Sequence, residues 1–214
     1  LIVAQLQANP DFNVQVRRSV QVTNSAVAIA IVPSSGTISG GATLDVTATS
    51  EAGIHSVTLS MDGNAVGTLM APSATNSIYS FQVTGTSGAH AFQAQAIDNN
   101  GQSATTASVT ITIDNPPKLS MSSPVDGGLI NGTLHIAGTV TSDKTGTVST
   151  TATLGNLPVL NATTSSFSTD FSLAGVVPGD YTLTVVSTDS TGSAARQSLI
   201  VTVTSSPNLV YTPL

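Results

Sequence analysis

The sequence predicts an all-β chain, two tandem antiparallel β-sandwiches with a β-hairpin before them. Three observations carry this. Apolar and polar residues alternate with a period of two through stretches rich in Val, Ile and Thr, and helix signals are almost absent. Turn signals punctuate these stretches about every 8–12 residues, the spacing of a sandwich. Turn residues also return at one offset. Pro33 recurs as Pro124, Gly36 as Gly127, Gly41 as Gly132, Gly88 as Gly179, Asp98 as Asp189 and Gly101 as Gly192, each 91 residues on (124 − 33 = 91). Proline fixes φ and glycine frees it, so a shared offset means the same turns in the same order. Solenoid repeats run roughly 20–50 residues; the longer period fits a whole domain copied in tandem.

The elements follow in order. Adding 91 to Val20, Val22 and Asn24 gives Ile111, Ile113 and Asn115, and Asn9 maps onto Asn100. Residues 1–24 therefore read as the last hairpin of a preceding repeat, turning at Asn9-Pro10-Asp11, or as a segment donated to another sheet. In the first copy, Leu44, Val46 and Ala48 share one face of a strand. Val57–Met61 repeats the pattern, and Asp62-Gly63-Asn64 supplies a tight hairpin turn. A strand carrying Val66 and Leu69 follows, then Tyr79–Val83, Ala89–Ile97 and Ala107–Ile113. Gly36–Gly41 reads as a loop between two strands.

The second copy offers Thr133–Val140, Val148–Leu154, Pro158–Leu160, Phe167–Leu173, Tyr181–Ser187 and Ser198–Thr204. Leu44 and Val46 face Leu134 and Ile136 with a one-residue slip, which places an insertion or deletion near Gly41/Gly132. The boundary falls at Asp114-Asn115-Pro116-Pro117, where consecutive prolines favour a short, stiff, extended link and hence a rod. The expected division is 1–24, a first domain 25–115, a second domain 116–205, and a tail 206–214 that starts something new.

Two stretches carry a family resemblance. Residues Val57 to Gly67 (VTLSMDGNAVG) resemble the C–C′ hairpin of bacterial immunoglobulin-like domains. Residues Gly179 to Asp189 (GDYTLTVVSTD) resemble their E–F corner and F strand, with Tyr181 in the tyrosine-corner place. In the first copy His90 stands there instead (90 + 91 = 181), an altered corner. The chain has no Cys and no Trp, so the resemblance is to the broad bacterial Ig-like and fibronectin-III-like set rather than to antibody domains. It implies tandem modules of a cell-surface or secreted protein.

Composition narrows the function classes. Charged residues are 7% of the chain, against about 25% in an ordinary domain. Ser, Thr, Asn and Gln take their place, leaving a polar but nearly uncharged surface. Five Lys and Arg against eleven Asp and Glu, a net charge of −6, give no basic footprint for nucleic acid and little attraction to anionic membranes. No apolar run approaches the roughly 20 residues that span a bilayer. Leu1–Ala8 lacks the basic start of a signal peptide. Without cysteine there are no disulfides, thiolate metal sites or cysteine nucleophiles.

No local pattern carries chemistry. His55, His90 and His135 lack metal-ligand spacing and read as strand or corner residues with local hydrogen bonds. No GxSxG elbow is present, and Gly36–Gly41 lacks a P-loop lysine. The few carboxylates form no glycosidase pair. The chain is thus expected to be no enzyme, with no catalytic, cofactor-binding or metal residues. Structural Ca²⁺ is the cofactor weighed against that, at Asp98-Asn99-Asn100 and Asp114-Asn115. Six to eight oxygens are needed, and Asp and Asn also cap tight turns through their own backbone. Asn131-Gly132-Thr133 and Asn161-Ala162-Thr163 match the glycosylation sequon, one being itself a turn signal.

Three roles remain. The first is a non-catalytic extracellular rod, part of a larger bacterial surface protein, whose partners are proteins or itself. The second is a filament subunit that completes a neighbour's sheet with residues 1–24 or the tail, since edge strands are normally guarded by charge that this chain lacks. Pro33 and Pro124 are the remaining guards. The third is an accessory spacer or carbohydrate-binding module of a secreted hydrolase. Sugar sites favour aromatic platforms, and the three Tyr and five Phe lie mostly within strand patterns.

Overall fold

The computed structural model describes residues 3–9, 12–17 and 26–205, with 3–9, 12–17 and 71–77 as backbone only. Pro10 and Asp11 of the expected turn, Val20, Val22 and Asn24, and the tail 206–214 lie outside the described residues. Strands β1 (Val3–Asn9) and β2 (Phe12–Arg17) pair antiparallel, with Leu6 opposite Val14 and Ala4 opposite Val16. Among the described residues they form a two-stranded sheet of their own.

The first copy comprises β3 (Ala28–Val32), β4 (Gly36–Ile38), β5 (Thr43–Met61), β6 (Asn64–Gln82), β7 (Gly88–Asp98), β8 (Ser103–Thr105) and β9 (Val109–Ile113). Their order is β3-β5-β7-β9-β4, with β6 on β5 and β8 on β7. The alternation predicts two separate strands within 44–61, whereas the structure joins them in one strand of 19 residues. The reason is a bulge at Ile54/Ser56, beside Gly53 at φ 78°. A bulge adds one residue and reverses which parity faces inward. Leu44, Val46, Ala48 and Ser50 are buried before it, Val57 and Leu59 after it. Likewise the strands expected at Val66–Leu69 and Tyr79–Val83 are continuous in β6.

The second copy separates into two sheets. One orders β10 (Lys118–Ser123), β12 (Thr133–Thr141) and β15 (Ser166–Ser172). The other runs β11 (Gly128–Asn131), β17 (Ala194–Thr204), β16 (Gly179–Thr188), β13 (Ser149–Leu154), β14 (Leu157–Ala162). Between them Leu134, Ile136, Leu183, Val185 and Val201 have no solvent exposure, each contributing about 2 kcal/mol by full burial. Strands β12 to β17 match the sequence expectation within two or three residues at most ends, whereas the alternation names no strand at β10 or β11.

Each copy carries one parallel pair that alternation did not reveal. The first three residues of the piece read as a loop, Gly36–Ile38, form β4, parallel to β9, and β11 lies parallel to β17. Pro33 and Pro124, both cis, stand between β3 and β4 and between β10 and β11. In the second copy the first edge is thus divided between two sheets, β10 on β12 and β11 on β17, the strand order of an immunoglobulin-like sandwich.

By compactness the chain divides into two units. One takes the described residues through 34 with 44–81 and 92–109. The other takes 35–43, 82–91 and 110 onward.

Candidate functional site

Asp98, the first carboxylate singled out in the sequence, is built into a turn. After β7, Asp98 Oδ1 accepts the backbone N–H of Asn100 at 2.9 Å and of Gln102 at 2.8 Å. Its Oδ2 accepts the hydroxyl of Ser50 at 2.9 Å. Burial alone pushes the Asp98 carboxyl up; the Gln102 amide, the Ser50 hydroxyl and the Asn100 amide outweigh it and hold the pKa below the usual range. This is the Asx turn expected as the plain alternative to calcium.

Asp189 repeats the arrangement 91 residues on. Its Oδ1 accepts the N–H of Thr191 at 3.0 Å and of Ser193 at 3.1 Å. The other oxygen has a different partner. The position of Ser50 on its strand is taken in the second copy by Val140, as Leu44 by Leu134 (both offsets 90), and Val140 offers no hydroxyl. Lys144 Nζ comes instead, 2.6 Å from Asp189 Oδ2 and 2.8 Å from Thr191 Oγ1. The same ammonium pairs with Asp114, whose second oxygen accepts the Ser193 hydroxyl at 2.6 Å.

The Lys144 and Asp189 side chains are only 8% and 2% exposed, so this ion pair is withdrawn from water. Burial pushes the Asp189 carboxyl up, but Lys144 and Thr191 prevail and lower it. Lys144 is pulled down by burial and raised overall by its two carboxylates. Asp114 is lowered, chiefly by Lys144 and then by Ser193. The Lys144 ammonium thus lies against Asp114, one of the two aspartates at which calcium was weighed. Among the described residues no group of three or more His, Asp or Glu is arranged to hold a metal.

Asn115, the other member of the second predicted pair, turns to Asp143. Its amide donates to Asp143 Oδ2 at 2.7 Å and to Gly85 O at 2.9 Å. Asp143 also accepts the Ser87 N–H at 2.7 Å and the Ser87 hydroxyl at 2.8 Å. The Asn115 amide, the Ser87 hydroxyl and the Ser87 N–H bring the Asp143 pKa down to about 2. A side chain at Gly40 would collide with Asn115 Oδ1, which explains the bare backbone there. Asp114, Asn115, Asp143, Lys144, Asp189 and their partners all belong to the second unit. Nothing local in the sequence marks Lys144. The signal is global: a buried charge needs a partner, and few charges exist.

The histidines are placed separately. His135 Nδ1 meets Asp170 Oδ1 at 2.6 Å across β12 and β15, both half or more exposed. His55 is exposed on β5. His90 holds a corner. Tyr181 donates its hydroxyl to Val177 O at 2.8 Å, four residues back. His90 Nε2 lies 2.9 Å from Thr86 O, also four residues back. The expected alteration is thus one of residue type, while the bond across the corner is kept. Tyr79, Phe81, Phe92 and Phe167 are buried, and Phe171 and Tyr181 lie against the core. Asn131 and Asn161 of the two sequons are exposed on β11 and β14.

No family model matches the chain. No curated protein matches it either. Among solved structures, it is similar to the fibronectin(III)-like modules of CbhA from Clostridium thermocellum, at 15% identity and a TM-score of 0.39, over 87% of this chain and all of that one. It is similar to Rst D1-D2 at 10% identity and 0.37, over 84% of this chain and all of that one. Dimeric latent PorU from Porphyromonas gingivalis matches at 12% and 0.38, over 89% of this chain and 21% of that one. The chain is an all-β, immunoglobulin- and fibronectin-III-like tandem. That assignment stands on its own strand order, parallel edge pairs and tyrosine corner. Among the described residues no helix is long and apolar enough to cross a membrane.

Proposed function

We propose that this chain is a non-catalytic structural module, a spacer with adhesive capacity, in a bacterial surface or secreted protein. The observation that carries the reading is how its polar chemistry is spent. The turn aspartates Asp98 and Asp189 bind their own turn amides, and Lys144 and Asn115 bind Asp114 and Asp143. Side chains committed in this way stiffen turns and hold chain segments; none is left as a base beside a nucleophile. The described aromatic rings fill cores rather than form a sugar platform, which favours the spacer over a carbohydrate-binding module.

Small-angle X-ray scattering with light scattering on the dilute chain tests this. The expected result is an elongated monomer whose dimensions do not change with added calcium or chelator. A compact particle, or one whose length collapses with chelator, would overturn the spacer reading. Stoichiometric retention on a glycan array would transfer the chain to the binding-module class.

A further inference from the structure

Two Asn-Gly pairs occur in the chain, Asn100-Gly101 and Asn131-Gly132. All four residues are exposed, and both glycines hold left-handed backbone, at φ 78° and 74°. Such a pair carries its own chemistry. Glycine has no Cβ to shield its nitrogen, so once base removes the N–H proton that nitrogen can attack Cγ of the asparagine before it. The N–Cγ bond forms, the Cγ–Nδ2 bond breaks, and ammonia leaves with a proton from water. Water then opens the resulting succinimide at one carbonyl or the other, giving aspartate or isoaspartate. Nothing is oxidised or reduced, and solvent water is the only co-reactant.

What differs between the pairs is the hold on the attacking nitrogen. The Gly101 N–H donates to Asp98 O at 3.0 Å. On either side of it, the N–H groups of Asn100 and Gln102 are fixed to Asp98 Oδ1 at 2.9 and 2.8 Å. To react, this peptide has to leave its turn and give up bonds of which two go to an ionised carboxylate, the stronger kind. Gly132 lies between β11 and β12, and its carbonyl accepts the Leu173 N–H at 2.9 Å. Its own N–H has no acceptor among the described residues. A backbone amide that only water solvates is open to base.

The place of the second pair gives the reaction a consequence. Asn131 is the last residue of β11, opposite Thr204 at the edge of the five-stranded sheet. No residue of β11 is charged. Leu129, two residues back on the same face, is 75% exposed. Edge strands are normally guarded by charge. We propose that Asn131 is a self-modifying site. The Gly132 nitrogen converts its amide into a carboxylate, so the chain acquires on standing the charge that this edge lacks, while Asn100 keeps its amide. The conversion also erases the Asn131-Gly132-Thr133 sequon. It goes beyond the spacer reading, and its failure would leave that reading intact.

The test uses the full-length chain, incubated folded in mildly alkaline buffer and, in parallel, unfolded in guanidinium chloride. Peptide mass spectrometry then resolves the asparagine, aspartate and isoaspartate forms at each site. Unfolded, the two Asn-Gly sites should convert at similar rates. Folded, Asn131 should convert about tenfold faster than Asn100 or more, a barrier difference of about 1.4 kcal/mol, with aspartate and isoaspartate both present. Asn161 is also exposed on an edge strand, but the methyl of Ala162 shields the nitrogen that follows it. It should stay behind Asn131 in both states. Equal folded rates at Asn131 and Asn100, or a folded Asn131 as slow as Asn161, would overturn the proposal.

Discussion

Asp98 and Asp189 occupy the same turn of two copied domains and are satisfied by different chemistry. In the first copy a neutral hydroxyl from Ser50 completes the carboxylate. In the second the equivalent strand position is Val140, and Lys144 supplies an ammonium that also binds Asp114. The turn backbone survives in both: Gly101 N–H donates to Asp98 O and Gly192 N–H to Asp189 O. What differs is the group brought to the second carboxylate oxygen. The hydroxyl ties its turn to strand β5 alone. An ammonium ties it to a second carboxylate 75 residues earlier in the chain (189 − 114 = 75).

Removing that ammonium should break the comparison most sharply. Lys144→Met leaves Asp189 buried and unpaired beside Asp114, a loss on the order of 3 kcal/mol, read as a lower urea midpoint. Ser50→Ala, which removes a neutral donor from the first turn, should cost clearly less. Equal effects would mean that the two turns do not differ in the way described.

Packing on the same strands gives a second contrast. Gly138 on β12 corresponds to Ala48 on β5 (138 − 48 = 90, as for Leu134 and Leu44). A methyl on Gly138 would approach Ser120 O to 2.6 Å and the Phe167 ring to 2.7 Å. Gly138→Ala should therefore destabilise by about 1–3 kcal/mol, although the first copy carries that methyl in its core. A neutral result in thermal unfolding would show that the Phe167 ring yields.

Acid should unfasten the second unit in a defined window. Asp143 has a folded pKa of about 2, below the usual aspartate value near 3.9, and Asp114 and Asp189 are lowered too. A depressed carboxylate contributes stability above its unfolded pKa and loses it as pH falls through the folded one. Stability should thus decline from about pH 4 toward pH 2, and Asp143→Asn should flatten part of that slope. Lys144, raised in the fold, acts at the other end: its contribution is complete below the unfolded value near 10.4 and disappears as pH rises beyond the folded one. The smallest effect belongs to the corner. Tyr181→Phe removes one hydroxyl bond to Val177 O and should cost about 1 kcal/mol, with the fold retained by circular dichroism.

Much of the fold was legible because alternation and turn residues act locally. Alternation sets Leu44 and Val46 on one face of a strand, the slipped repeat aligns Leu134 and Ile136 with them, and all four are fully buried. Parity failed at Ile54/Ser56, where a bulge shifts the phase without ending the strand. It also failed at Gly36–Ile38 and Gly128–Asn131, where parallel partners lie some seventy residues away and leave no local trace. His90 was read as an altered corner since its ring differs from tyrosine, yet a ring nitrogen reaches the same carbonyl. Asp98 and Asp114 were picked out as oxygen-rich. Only three dimensions show that one serves its own turn and the other a lysine.

Hydrogen–deuterium exchange on the wild type and Lys144→Met, followed peptide by peptide, tests the contrast between the two turns most directly. Faster exchange is expected at 114–116, 143–145 and 189–193 in the variant, with 98–102 unchanged. Unchanged exchange at 189–193, or an equal rise at 98–102, would contradict it.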